Sequence, residues 1–93
     1  MKIIGTEEYQ KELLAILKYI AKDKISASRK FKQDLNIQIN QIPIFPYKYR
    51  PSLYFDNENI RDMTFKRYTI NYEIDLNKNT IFILSIFNQN KPS

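Results

Sequence analysis

The sequence predicts one α+β domain: a short N-terminal strand, an αα-hairpin, then an antiparallel sheet packed against the helices. Three observations carry this expectation. Apolar residues recur twice at helical spacing before Pro43, three prolines then interrupt the chain, and beyond them the apolar pattern changes to alternation. The 93 residues fit one domain at about 100–150 per domain.

Met1–Ile4 is a brief apolar start, and Gly5, the single glycine, marks a strand-to-helix turn. Thr6 can cap a helix N-terminus, and Glu7 and Glu8 stand where the helix dipole favours anions. Tyr9, Leu13, Ile16, Leu17 and Ile20 then form the stripe of an amphipathic helix running to about Lys22. A three-residue connection, Asp23–Ile25, leads to Ser26 as a second N-cap. Ala27, Phe31, Leu35, Ile39 and Ile42 repeat helically until Pro43 stops the run. The helical hairpin thus covers about 6–42.

Pro43, Pro46 and Pro51 make residues 43–52 a loop. The sheet is expected over about 53–87, from the β-type runs Leu53–Asp56, Ile60–Phe65, Tyr68–Asp75 and Thr80–Phe87. Lys66-Arg67 joins two of them as a two-residue hairpin of poor turn chemistry, which predicts strain at Arg67 or a longer turn. Tyr68, Ile70, Tyr72 and Ile74 share one face. The last run is apolar on both faces, with Phe82, Leu84 and Ile86 set against Ile81, Ile83 and Phe87, as in a central strand. A polar tail, 88–93, closes the chain.

Absent residue types exclude whole chemistries. The chain has no His, Cys, Trp or Val, so imidazole bases, thiol nucleophiles, disulfides and zinc fingers are ruled out. One glycine cannot build a phosphate-cradling loop. Fifteen Ile, eleven Lys and nine Asn suggest an AT-rich coding bias, which weakens arguments from Lys or Asn frequency. A net charge of +5 favours acidic partners, nucleic acid or protein. No apolar run approaches the about 18 residues that span a membrane, and no secretory signal opens the chain, so a cytoplasmic location without membrane association is expected.

Four groups of residues are candidates for function. Tyr47-Lys48-Tyr49-Arg50 interleaves rings with cations, which suits bases and phosphates but equally suits rings on the core edge with cations in water. Arg61 shares a strand face with Met63 and Phe65, and there it either snorkels at the core rim or points into a groove. Lys66 and Arg67 occupy a hairpin tip, an ordinary place for charge. The pairs Asp56/Glu58 and Glu73/Asp75 offer carboxylates at a spacing of two, but acidic residues at turns are common, so no metal and no cofactor is assigned.

The order and spacing of particular residues resemble the RelE/ParE superfamily of toxins from type II toxin–antitoxin systems. The matching features are Phe31 and Leu35 in the second helix, Pro43 after it, Arg50-Pro51 in the loop, Ile60-Arg61-Asp62-Met63, then Tyr68, Tyr72 and Ile74, and the closing strand Ile81–Phe87. The resemblance spans nearly the whole chain and implies a small toxin held inactive in a hetero-oligomer with an antitoxin, acidic and partly disordered when free.

Members of the superfamily differ in target. RelE-type toxins cleave mRNA on the ribosome, and ParE-type toxins poison DNA gyrase. Where RelE-type proteins carry cations, this chain has Ile60, Asp62 and Thr69, and its C-terminus offers Asn88, Gln89 and Lys91. The comparison therefore favours a ParE-like toxin that acts on a protein target and is not an enzyme. The alternative is a RelE-like endoribonuclease using Arg61, Arg67 and Lys91. Residues expected to touch the target or RNA are Lys48, Arg50, Arg61, Lys66, Arg67, Asn88, Gln89 and Lys91. A third reading, from another class, is a non-toxic basic module that binds nucleic acid through residues 47–50 and the 66–67 tip.

Overall fold

The computed structural model of the chain describes residues 1–88; the expected tail beyond, with Gln89 and Lys91, lies outside the described residues. Strand β1 (Lys2–Gly5) leads into helices α1 (Glu7–Asp23) and α2 (Ile25–Asn40), and a 3-10 turn (Ile42–Ile44) follows. Strands β2 (Arg50–Pro51), β3 (Ile60–Phe65), β4 (Tyr68–Asp75) and β5 (Thr80–Asn88) complete the chain. The sheet order is β1-β5-β4-β3-β2, so β5 is an interior strand between β1 and β4, in keeping with its two apolar faces. β1 lies parallel to β5, the last strand, and the remaining pairs are antiparallel; the helices themselves lead from β1 to β2 at the opposite edge of the sheet.

Thr6 caps α1 as the sequence suggests, its hydroxyl accepting the Tyr9 N–H at 3.2 Å. The hairpin connection is tighter than expected. Lys24 alone is extended between the helices, so the turn is one residue and Ser26 lies inside α2. Lys24 serves both helices at once: its N–H donates to Ile20 and its carbonyl accepts from the Ser28 N–H. The Ser28 hydroxyl donates to the Leu17 carbonyl at 2.8 Å and ties the two helices together.

The helix-side core joins Tyr9, Phe31, Leu35, Ile39 and Ile42 to Met63, Phe65, Ile70, Tyr72, Ile74, Ile81, Ile83 and Ile86. Burying each such side chain contributes about 1.5–3 kcal/mol. Gly5 is required by close approach: a Cβ there would lie 2.9 Å from the buried Tyr9 ring.

β5 departs from simple alternation. Asn71 pairs with Ser85 but Tyr72 pairs with Ile83, which leaves Leu84 as a bulge. The extra residue puts Ile86 on the core face with Ile81 and Ile83, correcting its expected grouping with Phe82 and Leu84. The bulge is tied to α1, because the Thr6 hydroxyl donates to the Leu84 carbonyl at 3.0 Å. Beyond β1, the Ile86 N–H donates to the Glu12 carboxylate at 3.1 Å.

Two further expectations are corrected. Leu53–Asp56 is not a strand; pairing with β3 falls earlier, at Arg50 and Pro51. Side chains take the backbone donors that a strand there would need, with the Leu53 N–H going to Asp62 and the Tyr54 N–H to Ser52. At the β3–β4 hairpin the residue with positive φ is Lys66, at 55°, not Arg67. A left-handed lysine costs about 1 kcal/mol, and the Lys66 ammonium rests over the Phe31 and Phe65 rings.

Candidate functional site

Three surfaces follow from this architecture. The first is the proline-rich connection from α2 to β2, which forms a ridge at the entry to β3. Ile44 and Phe45 are 67% and 69% exposed on it. The ridge is fastened from beneath. The buried Tyr72 hydroxyl donates to the Pro46 carbonyl at 2.6 Å, and the Tyr49 and Tyr72 rings meet edge to face. Arg61 donates through Nη1 to the Tyr49 carbonyl at 3.0 Å and through Nε to the Glu58 carbonyl at 2.9 Å. Its guanidinium also lies 4.9 Å from the Tyr47 ring centre, and the Tyr47 hydroxyl donates to Asn59. Burial, reinforced by neighbouring Tyr49 and opposed by Arg61, pushes the Tyr72 phenol well above its ordinary range, so it stays protonated to donate.

The second surface is the sheet face opposite the helices. A polar row crosses it through Asp62, Asn71 and Ser85, which are mutual cross-strand partners. The Asn71 amide donates to Asp62 Oδ1 at 2.6 Å, and the Ser85 hydroxyl donates to Asn71 Oδ1. Residues 52–55 fold over this row as a flap. The Leu53 N–H donates to Asp62 Oδ2 at 3.0 Å, and the Tyr54 ring packs edge-on against Phe87 at 5.0 Å. Asp62 is only 2% exposed, and Ile60 and Thr69 are buried beside it.

The third surface is an open groove of about 320 Å³ between α1 and the end of β5. Glu12, Ala15, Ile16 and Tyr19 line one wall, with Tyr68, Ile86, Phe87 and Asn88 on the other. Of the α1 stripe only Tyr9 is fully buried; Leu13, Ile16, Leu17 and Ile20 are half-covered, and Tyr19 is 74% exposed. The apolar face of α1 is wider than the sheet beneath it.

The sequence candidates fall into two groups. Lys48, Arg50 and Arg61 gather at the ridge. Lys66, Arg67 and Asn88 gather at the other end of β3, roughly 16 Å away at about 3.3 Å per strand residue, where Asn88 pairs with Tyr68. Arg61 is half-buried and engaged by three groups, so it serves as an anchor of the ridge. The polar row and the α1 groove were not foreseen. Asp62, Asn71 and Ser85, a polar residue from each of three neighbouring strands, are the available signal for the row. Among the described residues, no three carboxylates gather to hold a metal ion, and no helix is long and apolar enough to cross a membrane.

Residues 3–92 match the family model described as "ParE toxin of type II toxin-antitoxin system, parDE". A solved structure titled "Chromosomal ParDE TA system from P. aeruginosa" superposes with a TM-score of 0.76 at 20% sequence identity, over 95% of each chain. At that identity the likeness is one of fold. No curated protein sequence matches the chain.

Proposed function

Because the chain belongs to the ParE family of type II toxins, we propose that it arrests bacterial growth by binding a protein target, DNA gyrase, rather than by cleaving RNA. The observation that carries the second half is the buried polar row. Phosphoryl transfer needs exposed cations around the scissile phosphate. The positions where a nuclease of the superfamily would present them hold Ile60, Asp62 and Thr69, all buried, with Asp62 tied to the 52–55 flap. An acid fixed under a lid repels a phosphate backbone instead of stabilising it.

A partner antitoxin neutralises the toxin by direct binding. The α1 groove supports this reading, since an amphipathic segment laid in it would complete the burial of Ile16 and Tyr19. The net charge of +5 would speed capture of an acidic partner.

Two assays test the proposal. Expression alone should stop growth, and the purified protein should inhibit plasmid supercoiling by gyrase while mRNA on translating ribosomes stays whole. Codon-dependent mRNA cuts with normal supercoiling would overturn it. For the partner, Ala15→Arg should block the groove, leaving growth arrest intact but abolishing rescue by the product of the adjoining gene.

A further inference from the structure

The ridge has more built into it than a connection needs. Three prolines stiffen it, Tyr72 and Arg61 hold its carbonyls from below, and its two largest apolar side chains, Ile44 and Phe45, point into solvent. The Lys48 N–H closes a turn on the Phe45 carbonyl at 3.0 Å, so Phe45 is held at a defined place. Ordering an exposed phenylalanine this way gains the folded chain little. It does lower the entropy lost when something binds there.

We propose that the ridge, with Ile44 and Phe45 as anchors and Lys48 and Arg50 at its rim, is the surface that grips the target protein, and that it takes an acidic segment carrying an apolar side chain. The inference rests on the proposed toxin function and adds to it the place and chemistry of contact. Charge selects the occupant. No Asp or Glu occurs between Asp34 and Asp56, while Lys48 and Arg50 are exposed within that span. Glu58 meets the ridge through its backbone carbonyl on Arg61. Ile44, Phe45 and Pro46 line a shallow apolar hollow with Tyr47 and Lys48. A hollow of aliphatic and aromatic side chains with Lys48 on its wall fits a protein side chain flanked by a carboxylate better than a nucleotide, because Tyr47, one of its two rings, already carries the Arg61 guanidinium. The ridge is also separate from the α1 groove, so target and antitoxin would meet different residues.

The experiment compares the intact chain with Phe45→Ser, Ile44→Ser and Lys48→Glu. Readouts are growth arrest at matched expression, inhibition of purified gyrase, and thermal unfolding. Each site is exposed, so unfolding temperatures should stay at the wild-type value. Phe45→Ser and Ile44→Ser should each weaken inhibition roughly tenfold or more, as anchors do, and Lys48→Glu should slow association and reduce its salt dependence. Wild-type potency in both serine variants would overturn the inference alone. If the wild type leaves gyrase untouched but still stops growth, the gyrase reading fails, and loss or retention of arrest in Phe45→Ser then supports or overturns the ridge. A wild type that does not arrest growth overturns both. Self-association or single-stranded RNA binding abolished by Phe45→Ser would assign the ridge another occupant and overturn this one.

Discussion

The Tyr72 hydroxyl reaches from the middle of β4 to the carbonyl of Pro46, 2.6 Å away, and so joins the centre of the core to the ridge that exposes Ile44 and Phe45. Removing that oxygen should be felt on the ridge before it is felt in the core. Tyr72→Phe keeps the ring and its edge-to-face contact with Tyr49 but leaves the Pro46 carbonyl without this donor. A loss of about 1–2 kcal/mol is expected from urea unfolding, together with faster amide exchange at Lys48, whose turn on Phe45 is built on the same segment.

Asp62 holds two groups together, the Asn71 amide within the sheet and the Leu53 N–H of the flap. Asp62→Ala leaves the buried Asn71 amide without this acceptor and releases the Leu53 N–H to water, so a destabilisation of about 1–3 kcal/mol is expected by chemical denaturation. Asp62→Asn can still accept one of the two bonds and should lose less. Amide exchange at Leu53 separates flap release from general unfolding: it should accelerate more than exchange in β4.

The helices were legible because their stripes are long and regular: Thr6 as cap, Phe31, Leu35 and Ile39 as core, and Pro43 near the stop all reappear in the fold. The strand beyond the loop was misplaced for a physical reason. Leu53–Asp56 has strand composition, but Asp62 and Ser52, distant or local side chains, take its N–H groups. Ile86 falls on the opposite face from the one expected because the bulge at Leu84 shifts the alternation, and a strand apolar on both faces does not reveal the shift. The face of Arg61 could be read from alternation. Its partners could not, since Tyr47 and Tyr49 reach it across a loop whose path three prolines leave open.

Alkaline pH should unfold the protein through its buried phenols. Burial pushes the Tyr9 hydroxyl up to about 12 from its ordinary 10, and Tyr72 moves the same way. A phenol whose folded value is raised binds its proton more tightly in the native state, so its contribution is fully present below pH 10. That contribution declines as pH rises from about 10 through 12, because only the unfolded chain ionises freely. The urea midpoint should therefore be level to about pH 9.5 and fall steeply beyond it. Tyr72→Phe should make the fall shallower.

Arg61 is a candidate in the sequence with two possible roles, core rim or groove, and its geometry assigns it an indirect route to function. It binds the carbonyls of Tyr49 and Glu58 and lies over the Tyr47 ring, so it positions the ridge. Arg61→Ala should lower toxicity by freeing residues 47–49 while costing only about 1 kcal/mol, since water can reach a half-buried site to replace the lost bonds. Arg61→Lys retains the charge but cannot donate in two directions from a planar fork, so it should restore toxicity only in part. If charge at this position were what the target reads, lysine would restore it fully and amide exchange at Lys48 would stay at the wild-type rate in Arg61→Ala. Accelerated exchange there, with β4 unchanged, is the expected result, and it places the loss in the ridge rather than in the core.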